Sequence, residues 1–238
     1  MKYILFLWCA LCIASQAIAQ KGFSSGTGFF VSRKGELVTN AHVVQPCIDP
    51  EKIYYRIGTS RPQLAHIISI DQENDLALLH TGQRPARIAS LRWMHTRIQE
   101  DHDVFILGYP EATSSTSPYS KAYATIKALN GPQGEVKWLQ FTNAARHGNS
   151  GGPLLDFGGN VVGVVTAKTS WMEQNAYAPS GRTKHQSDVA VTTETLKRFL
   201  DINRVQYRQA DSVLQLGQRR LERLASSYIT HIYCEANK

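Results

Sequence analysis

The chain has 238 residues, with 26 lysines and arginines against 19 aspartates and glutamates, a formal charge of +7 and four cysteines. The basic residues are scattered, Lys197-Arg198 and Arg219-Arg220 being the densest pairs, and no nucleic-acid motif accompanies them, so nucleic acid is excluded as a partner. His-Glu-x-x-His does not occur, and beyond the apolar amino-terminal run that holds Cys9 and Cys12 there is no paired Cys-x-x-Cys, so no metal or other cofactor is expected.

At the amino end, Lys2 precedes an apolar run from Tyr3 to Ala14 and then Ser15-Gln16-Ala17-Ile18-Ala19-Gln20, with small residues at Ala17 and Ala19. This is the pattern of a secretory leader cleaved after Ala19, and the run is shorter than the ~20 residues a membrane-spanning helix needs. Residues 1–19 are read as that leader, so the expected location is exported, periplasmic or secreted, with no stable membrane insertion. Cleavage removes Lys2, taking the charge from +7 to +6, and it also removes Cys9 and Cys12, neither of which follows the small residues of a lipid-attachment site. Cys47 and Cys234 remain, and in an oxidising space an even count permits a disulfide. That bond is the expectation, with two buried thiols as the alternative.

Short apolar runs bounded by Gly, Pro and Asp turns read as strands at Gly28 to Ser32, Leu37 to Thr39, Ile53 to Ile57, Ala65 to Ile70 and Leu76 to His80. Ser90 to Asp103 reads as a crossing segment. Strands follow at Val104 to Tyr109, Tyr119 to Leu129, Trp138 to Phe141, Val161 to Ala167 and Asp188 to Val191, and the polar stretches Glu111 to Ser120 and Ser170 to Gln186 read as mobile loops. Thr193 to Ile202 reads as a helix with Thr192 as N-cap and Leu196, Phe199 and Leu200 on one face. From about Arg208 to Ser226, Ala210, Val213, Leu214, Gly217, Leu221, Leu224 and Ala225 recur at helical spacing. That predicts a second helix whose stripe packs on the strands, with trimer contact or membrane-surface association as alternatives. Tyr228 to Tyr233 reads as a closing strand that delivers Cys234.

The chemistry concentrates in Gly148-Asn149-Ser150-Gly151-Gly152-Pro153-Leu154, a hydroxyl set in a loop nearly free of side chains. Glycines permit positive φ and close approach of a substrate. Gly148, Asn149 and Ser150 thus form a candidate oxyanion loop, the amides of Gly148 and Ser150 being the candidate donors to an oxyanion formed when Ser150 attacks a carbonyl. Serine alone is a weak nucleophile and needs a base. Among eight histidines only His42 lies where an apolar strand enters a small-residue turn, Leu37-Val38-Thr39-Asn40-Ala41-His42-Val43-Val44. Asp75 follows in Glu73-Asn74-Asp75-Leu76-Ala77-Leu78-Leu79, an acid at the head of an apolar run that would be buried and would orient the imidazole. Asp71 is a rival acid, and His147 is expected on the loop surface.

The order His42, Asp75, Ser150 resembles that of chymotrypsin-like (trypsin-like) serine proteases. Ser25-Gly26-Thr27-Gly28-Phe29-Phe30-Val31-Ser32 and the three motifs above resemble the peptidase domain of the HtrA/DegP type, from about Phe23 to Leu200. The resemblance implies an all-β fold of two six-stranded antiparallel β-barrels with C-terminal helices. It divides the chain into the leader, a protease domain over 20–204 and a helical tail over 205–238 that ends in a short strand. It implies a serine endopeptidase acting on polypeptide substrates through an acyl-enzyme, with His42, Asp75 and Ser150 catalytic. It also implies that Val165, Thr166 and Ala167 line the primary pocket, with Thr166 near the position that buttresses the aspartate. Asp188, on the next pocket strand, departs from the family pattern. It would either favour a basic residue before the scissile bond or sit solvated at a strand end, and the second is the expectation. After Leu200 only 38 residues follow, too few for the peptide-binding PDZ module typical of that type, so a stand-alone protease is expected. An oligomer is possible but not implied. The alternative function is a non-catalytic, chaperone-like binding protein on a protease scaffold.

Overall fold

The computed structural model describes residues 22–47, 52–93, 98–109, 119–142, 144–166 and 187–236. The leader and most of the two predicted mobile loops lie outside the described residues.

Strands β1 (Gly22–Phe30), β2 (Glu36–Thr39), β3 (Ile53–Arg56), β4 (Gln63–Asp71) and β5 (Leu76–His80) belong to the first of two barrels. Its sixth strand comes from the other end of the chain, β14 (Ile229–Ala236), which lies between β1 and β3 in the closed order β1-β14-β3-β4-β5-β2. Every pairing in this barrel is antiparallel, with Ser25 opposite Tyr233, Thr27 opposite His231 and Cys234 opposite Ile53. Cys234 is bonded to Cys47, in the 3-10 turn Gln45–Cys47 that follows the single-turn helix α1 (Ala41–Val44). The disulfide thus ties the last strand to the segment just beyond His42, and both cysteines are fully buried.

The second barrel is built from β7 (Asp103–Gly108), β8 (Ser120–Ala128), β9 (Trp138–Thr142), β10 (Pro153–Asp156), β11 (Asn160–Thr166) and β12 (Ser187–Thr192). A β10–β11 pairing closes the order β10-β7-β8-β9-β12-β11 into six antiparallel strands. The result is the expected pair of six-stranded barrels.

Strand periodicity explains how one set of strands serves two cores. Val104 and Ile106 point into the second barrel with Ile126, Phe141, Leu154 and Val165. The alternate residues Phe105 and Leu107 join Leu155, Val161, Val164 and Val191 in a larger core shared with the first barrel. Helix α2 (Thr193–Ile202) covers that shared core with Leu196, Phe199 and Leu200, and its Thr192 cap accepts the Thr195 N–H as expected.

Two regions differ from the sequence reading. The crossing segment after Ser90 begins with a strand, β6 (Ser90–Arg92), which pairs in parallel with β11 and with β13 (Arg208–Ala210). The helix expected from Arg208 to Ser226 shrinks to α3 (Gln218–Ala225), capped by Gly217. Only Leu221 and Ala225 of the stripe are buried, while Val213 and Leu214 are 79% and 69% exposed. Pairing of Arg208–Ala210 with β6 satisfies backbone groups that a helix there would have used internally, and Gly217 disfavours continuation of a helix through it. The carboxyl-terminal segment is therefore woven into both sheets, β13 extending the second and β14 closing the first.

Candidate active site

His42 and Asp75 are fixed by the first barrel. Strand β2 ends at Thr39, and α1 begins at once, turning His42 out of the sheet while Ala41, Val43 and Val44 are buried. Asp75 immediately precedes β5, with φ +56°, a left-handed conformation uncommon for a residue with a side chain. The preceding turn holds it there. Asp71 accepts the Asn74 N–H at 3.0 Å on Oδ1 and the Asn74 side-chain amide at 2.6 Å on Oδ2. The rival acid is thus a brace for the turn. Asn40, which the sequence reading passed over, donates its side-chain amide to the Asp75 carbonyl at 2.8 Å and so joins the two loops.

The Asp75 side chain is 1% exposed. Its Oδ2 lies 2.9 Å from His42 Nδ1, and its Oδ1 lies 3.1 Å from the same nitrogen and accepts the His42 backbone N–H at 3.1 Å. A third donor crosses from the second barrel, Thr166 Oγ1 to Oδ2 at 2.9 Å. With a carboxylate at Nδ1, that nitrogen carries the proton and Nε2 keeps its lone pair. The imidazole is also the accessible member, with 37% of its side chain exposed.

Ser150 approaches from the second barrel, in the bend before β10. Its carbonyl accepts the Thr27 N–H at 2.8 Å. A Cβ placed on Gly26 would stand 2.7 Å from Val43 and 3.0 Å from the Ser150 carbonyl oxygen, so only a side-chain-free residue separates the serine from the helix of His42. Gly151 is more constrained still. It has φ +82°, and an added Cβ would run into Thr27 O and Thr39 Oγ1.

The oxyanion loop is a hydrogen-bonded turn. Asn149 donates its N–H to Arg146 O at 2.9 Å, and Gly148, with φ +89°, occupies the third position, where a type II turn needs positive φ. The Asn149 amide is therefore engaged within the turn, which corrects its place in the candidate oxyanion set. The Gly148 and Ser150 amides donate to no acceptor among the described residues. Thr27, whose role the sequence did not disclose, steadies the turn by donating its hydroxyl to Gly148 O at 2.6 Å while accepting the Tyr109 N–H at 2.9 Å. His147 and Arg146 are exposed, as expected for His147.

Beside this loop, β11 is locked to it by Gly151 N–H to Val165 O at 2.8 Å and Val165 N–H to Gly152 O at 2.9 Å. Val165 and Thr166 are fully buried, and Ala167 lies outside the described residues. Asp188 is 4% exposed, not a solvated strand end. Its Oδ2 accepts the backbone N–H groups of Ala144 at 2.9 Å and Ala145 at 2.6 Å. Burial raises its pKa above the usual carboxylate value, and the Ala145 and Ala144 amides offset only part of that rise. The sequence placed an acid here but carried no signal of these amide partners, which lie 43 and 44 residues away. Among the described residues, no group of three or more His, Cys, Asp or Glu is arranged to hold a metal ion.

A family model described as the trypsin-like peptidase domain matches residues 26–164. The uncharacterized protein y4bJ of Sinorhizobium fredii is 34% identical over 224 residues, covering 93% of this chain and 34% of its own length. The mitochondrial serine protease HTRA2 of Bos taurus is 31% identical over 150 residues, 62% of this chain and 32% of that protein. The chain thus spans about a third of the length of these curated relatives. Among solved structures, the serine endoprotease from Yersinia pestis matches with a TM-score of 0.57 at 22% identity, over 74% of this chain and 56% of that one, a likeness of fold. With the family match spanning more than half of its residues, the chain belongs to the trypsin-like peptidase domain family, and its chymotrypsin-like fold is of the HtrA type.

Proposed function

We propose that the protein is a serine endopeptidase that hydrolyses peptide bonds through an acyl-enzyme, with Ser150 as nucleophile, His42 as general base and acid, and Asp75 as its orienting partner. The observation that carries this reading is the buried Asp75 carboxylate on Nδ1 of an accessible His42, because it leaves Nε2 as the proton acceptor. In the first step His42 Nε2 takes the Ser150 proton as Oγ bonds to the substrate carbonyl carbon. The carbonyl oxygen becomes an anion facing the Gly148 and Ser150 amides. The imidazolium then returns its proton to the leaving amine as the peptide bond breaks. Water, deprotonated by the same nitrogen, releases the acid product and restores Ser150. Asp75 keeps its charge throughout and stabilises the imidazolium. In this reading Val165, Thr166 and Asp188 belong to the substrate side of the serine, and the sequence pattern adds Ala167, which lies outside the described residues.

Export is part of the same reading. It is supported by the leader pattern in residues 1–19 and by the Cys47–Cys234 bond, of a kind that persists in oxidising compartments. Among the described residues no helix is long and apolar enough to cross a membrane.

The test is labelling of the purified protein with a fluorophosphonate, paired with casein or peptide turnover. The expected outcome is a single adduct on Ser150 and turnover that disappears in Ser150→Ala. A protein that folds yet takes no adduct and cleaves nothing would fit the chaperone-like alternative and would defeat this assignment.

A further inference from the structure

At the end of β10 and β11 remote from Ser150, the chain from Ser212 to Ala225 folds across the turn that joins the two strands. Asn160 donates its side-chain amide to Ser212 O at 3.0 Å, and Leu216 donates its N–H to Phe157 O at 2.7 Å. Leu216 and Leu224 reach over Gly159, where an added Cβ would stand 3.3 and 2.7 Å from them. Val213 and Leu214 lie between these two anchors, yet their side chains turn outward, 79% and 69% exposed. Single exposed aliphatic residues are ordinary, but two together on a backbone pinned at both ends form an apolar patch.

Helix α3 continues the same surface. Leu221, Leu224 and Ala225 form its inward face. Helical spacing sends Arg219 and Arg223, four positions apart, to the opposite face and leaves Arg220 on its flank, and all three are exposed. The one acid of the helix, Glu222, is taken up by Lys121 at 2.7 Å, and none of the three arginines has a carboxylate partner among the described residues. Like charges four positions apart weaken a helix, so the stability of α3 does not account for this face.

We propose that Val213, Leu214, Arg219, Arg220 and Arg223 form a docking surface for an anionic phospholipid bilayer. The two aliphatic side chains enter the boundary of the acyl chains while the guanidinium groups pair with lipid phosphates. Charge complementarity selects an anionic partner, and the aliphatic pair set beside the cations selects one with an apolar layer beneath its charge. The segment from Asp211 to Ala225 holds no aromatic residue to stack on a nucleic-acid base. The molecule lies on the bilayer without spanning it. Strand β11 runs from Asn160, at this surface, to Thr166, against Asp75, about 20 Å at the usual rise of a strand. A docked molecule therefore keeps its Ser150 side clear of the lipid.

The test is co-flotation of the exported form, beginning at Gln20 so that the apolar run from Tyr3 to Ala14 cannot itself bind lipid, with vesicles of phosphatidylcholine alone or mixed with phosphatidylglycerol. The expected result is binding to the anionic vesicles at least about tenfold tighter than to the neutral ones, weakening as salt is raised. Arg219→Gln/Arg223→Gln should lower that binding about 30-fold, each basic residue near such a surface being worth about a factor of five. Val213→Ser/Leu214→Ser should lower it at least about tenfold. Both variants alter exposed side chains alone, so an unchanged urea midpoint separates loss of docking from loss of fold, and flotation needs no turnover, so failure of the peptidase reading leaves this test intact. Equal binding to both kinds of vesicle, binding unchanged in both variants, or no binding at all would overturn the proposal. Retention on heparin that the arginine variant loses, without vesicle binding, would overturn it in favour of a soluble polyanion. Self-association that the serine variant loses, without vesicle binding, would overturn it in favour of a second copy of this chain.

Discussion

Thr166→Val probes a hydrogen bond that joins the His42–Asp75 pair of one barrel to the strand that flanks Ser150 in the other. Valine matches threonine in shape, and residue 166 is fully buried, so the substitution removes the hydroxyl without opening a cavity. The lost interaction is the 2.9 Å bond to Asp75 Oδ2, whose carboxylate is 1% exposed and also accepts from the His42 backbone N–H and Nδ1. A hydrogen bond to a charged group is worth about 1.5–3 kcal/mol. The folded state should therefore lose about 2 kcal/mol at neutral pH, read as a lower urea midpoint with an unchanged slope. Peptide turnover should fall about tenfold, chiefly in kcat, because the carboxylate that holds Nδ1 gains freedom. The decisive measurement is a double-mutant cycle with Asp75→Asn. In that background Thr166→Val should cost less than about 0.5 kcal/mol, the charge being gone. An equal cost in both backgrounds would refute the claim that Oγ1 acts through the carboxylate.

Two further expectations concern β14. His231 lies among Arg56, Ser25, Tyr109 and Tyr233, its Nδ1 accepting from Arg56 Nε at 3.2 Å and its Nε2 lying 2.8 Å from Ser25 Oγ. Burial, and secondarily the Arg56 charge, lower its pKa from 6.5 to about 4. Because the folded value is depressed, its contribution to stability is complete above pH 6.5 and declines as the pH falls toward 4, by about 2 kcal/mol at pH 4.5. Urea unfolding at pH 7.5 and 4.5 should reveal that decline, and His231→Gln should remove this part of it. The Cys47–Cys234 bond spans 187 positions of sequence, a loop whose closure is worth about 5 kcal/mol in the chain-entropy model. The Cys47→Ala/Cys234→Ala protein should lose about 3–5 kcal/mol and gain urea slope, since its unfolded chain is less constrained. Identical denaturation curves would contradict this.

Much of the site can be read locally. His42 and Asp75 stand in short motifs whose neighbours, Asn40 and Ala41 on one side and Leu76 on the other, dictate a strand-end turn and a buried strand head. The glycines around Ser150 announce a turn, and strand β5 falls at Leu76–His80, as its unbroken apolar run implies. What escapes the sequence depends on partners far along the chain. The parallel strand β6 is a three-residue run that gains its identity only from Asn160–Val161 and Arg208–Ala210. The same pairing takes Arg208–Ala210 out of a stripe whose spacing is helical. Asp188 looks like an exposed strand end until Ala144 and Ala145 are brought to it. Thr27 gives no local hint that its hydroxyl holds the Gly148 carbonyl.

The placement of β14 also bears on how the first barrel closes. Its register runs from Gly22 opposite Ala236 to Phe29 opposite Ile229, and its other edge carries β3. Without Ile229–Ala236 the barrel that sets His42 against Asp75 lacks one stave, and β1 and β3 each keep an unpaired edge. The setting of His42 against Asp75 therefore depends on a strand pairing between segments far apart along the chain, the kind of contact that is slow to form because a long loop must close first.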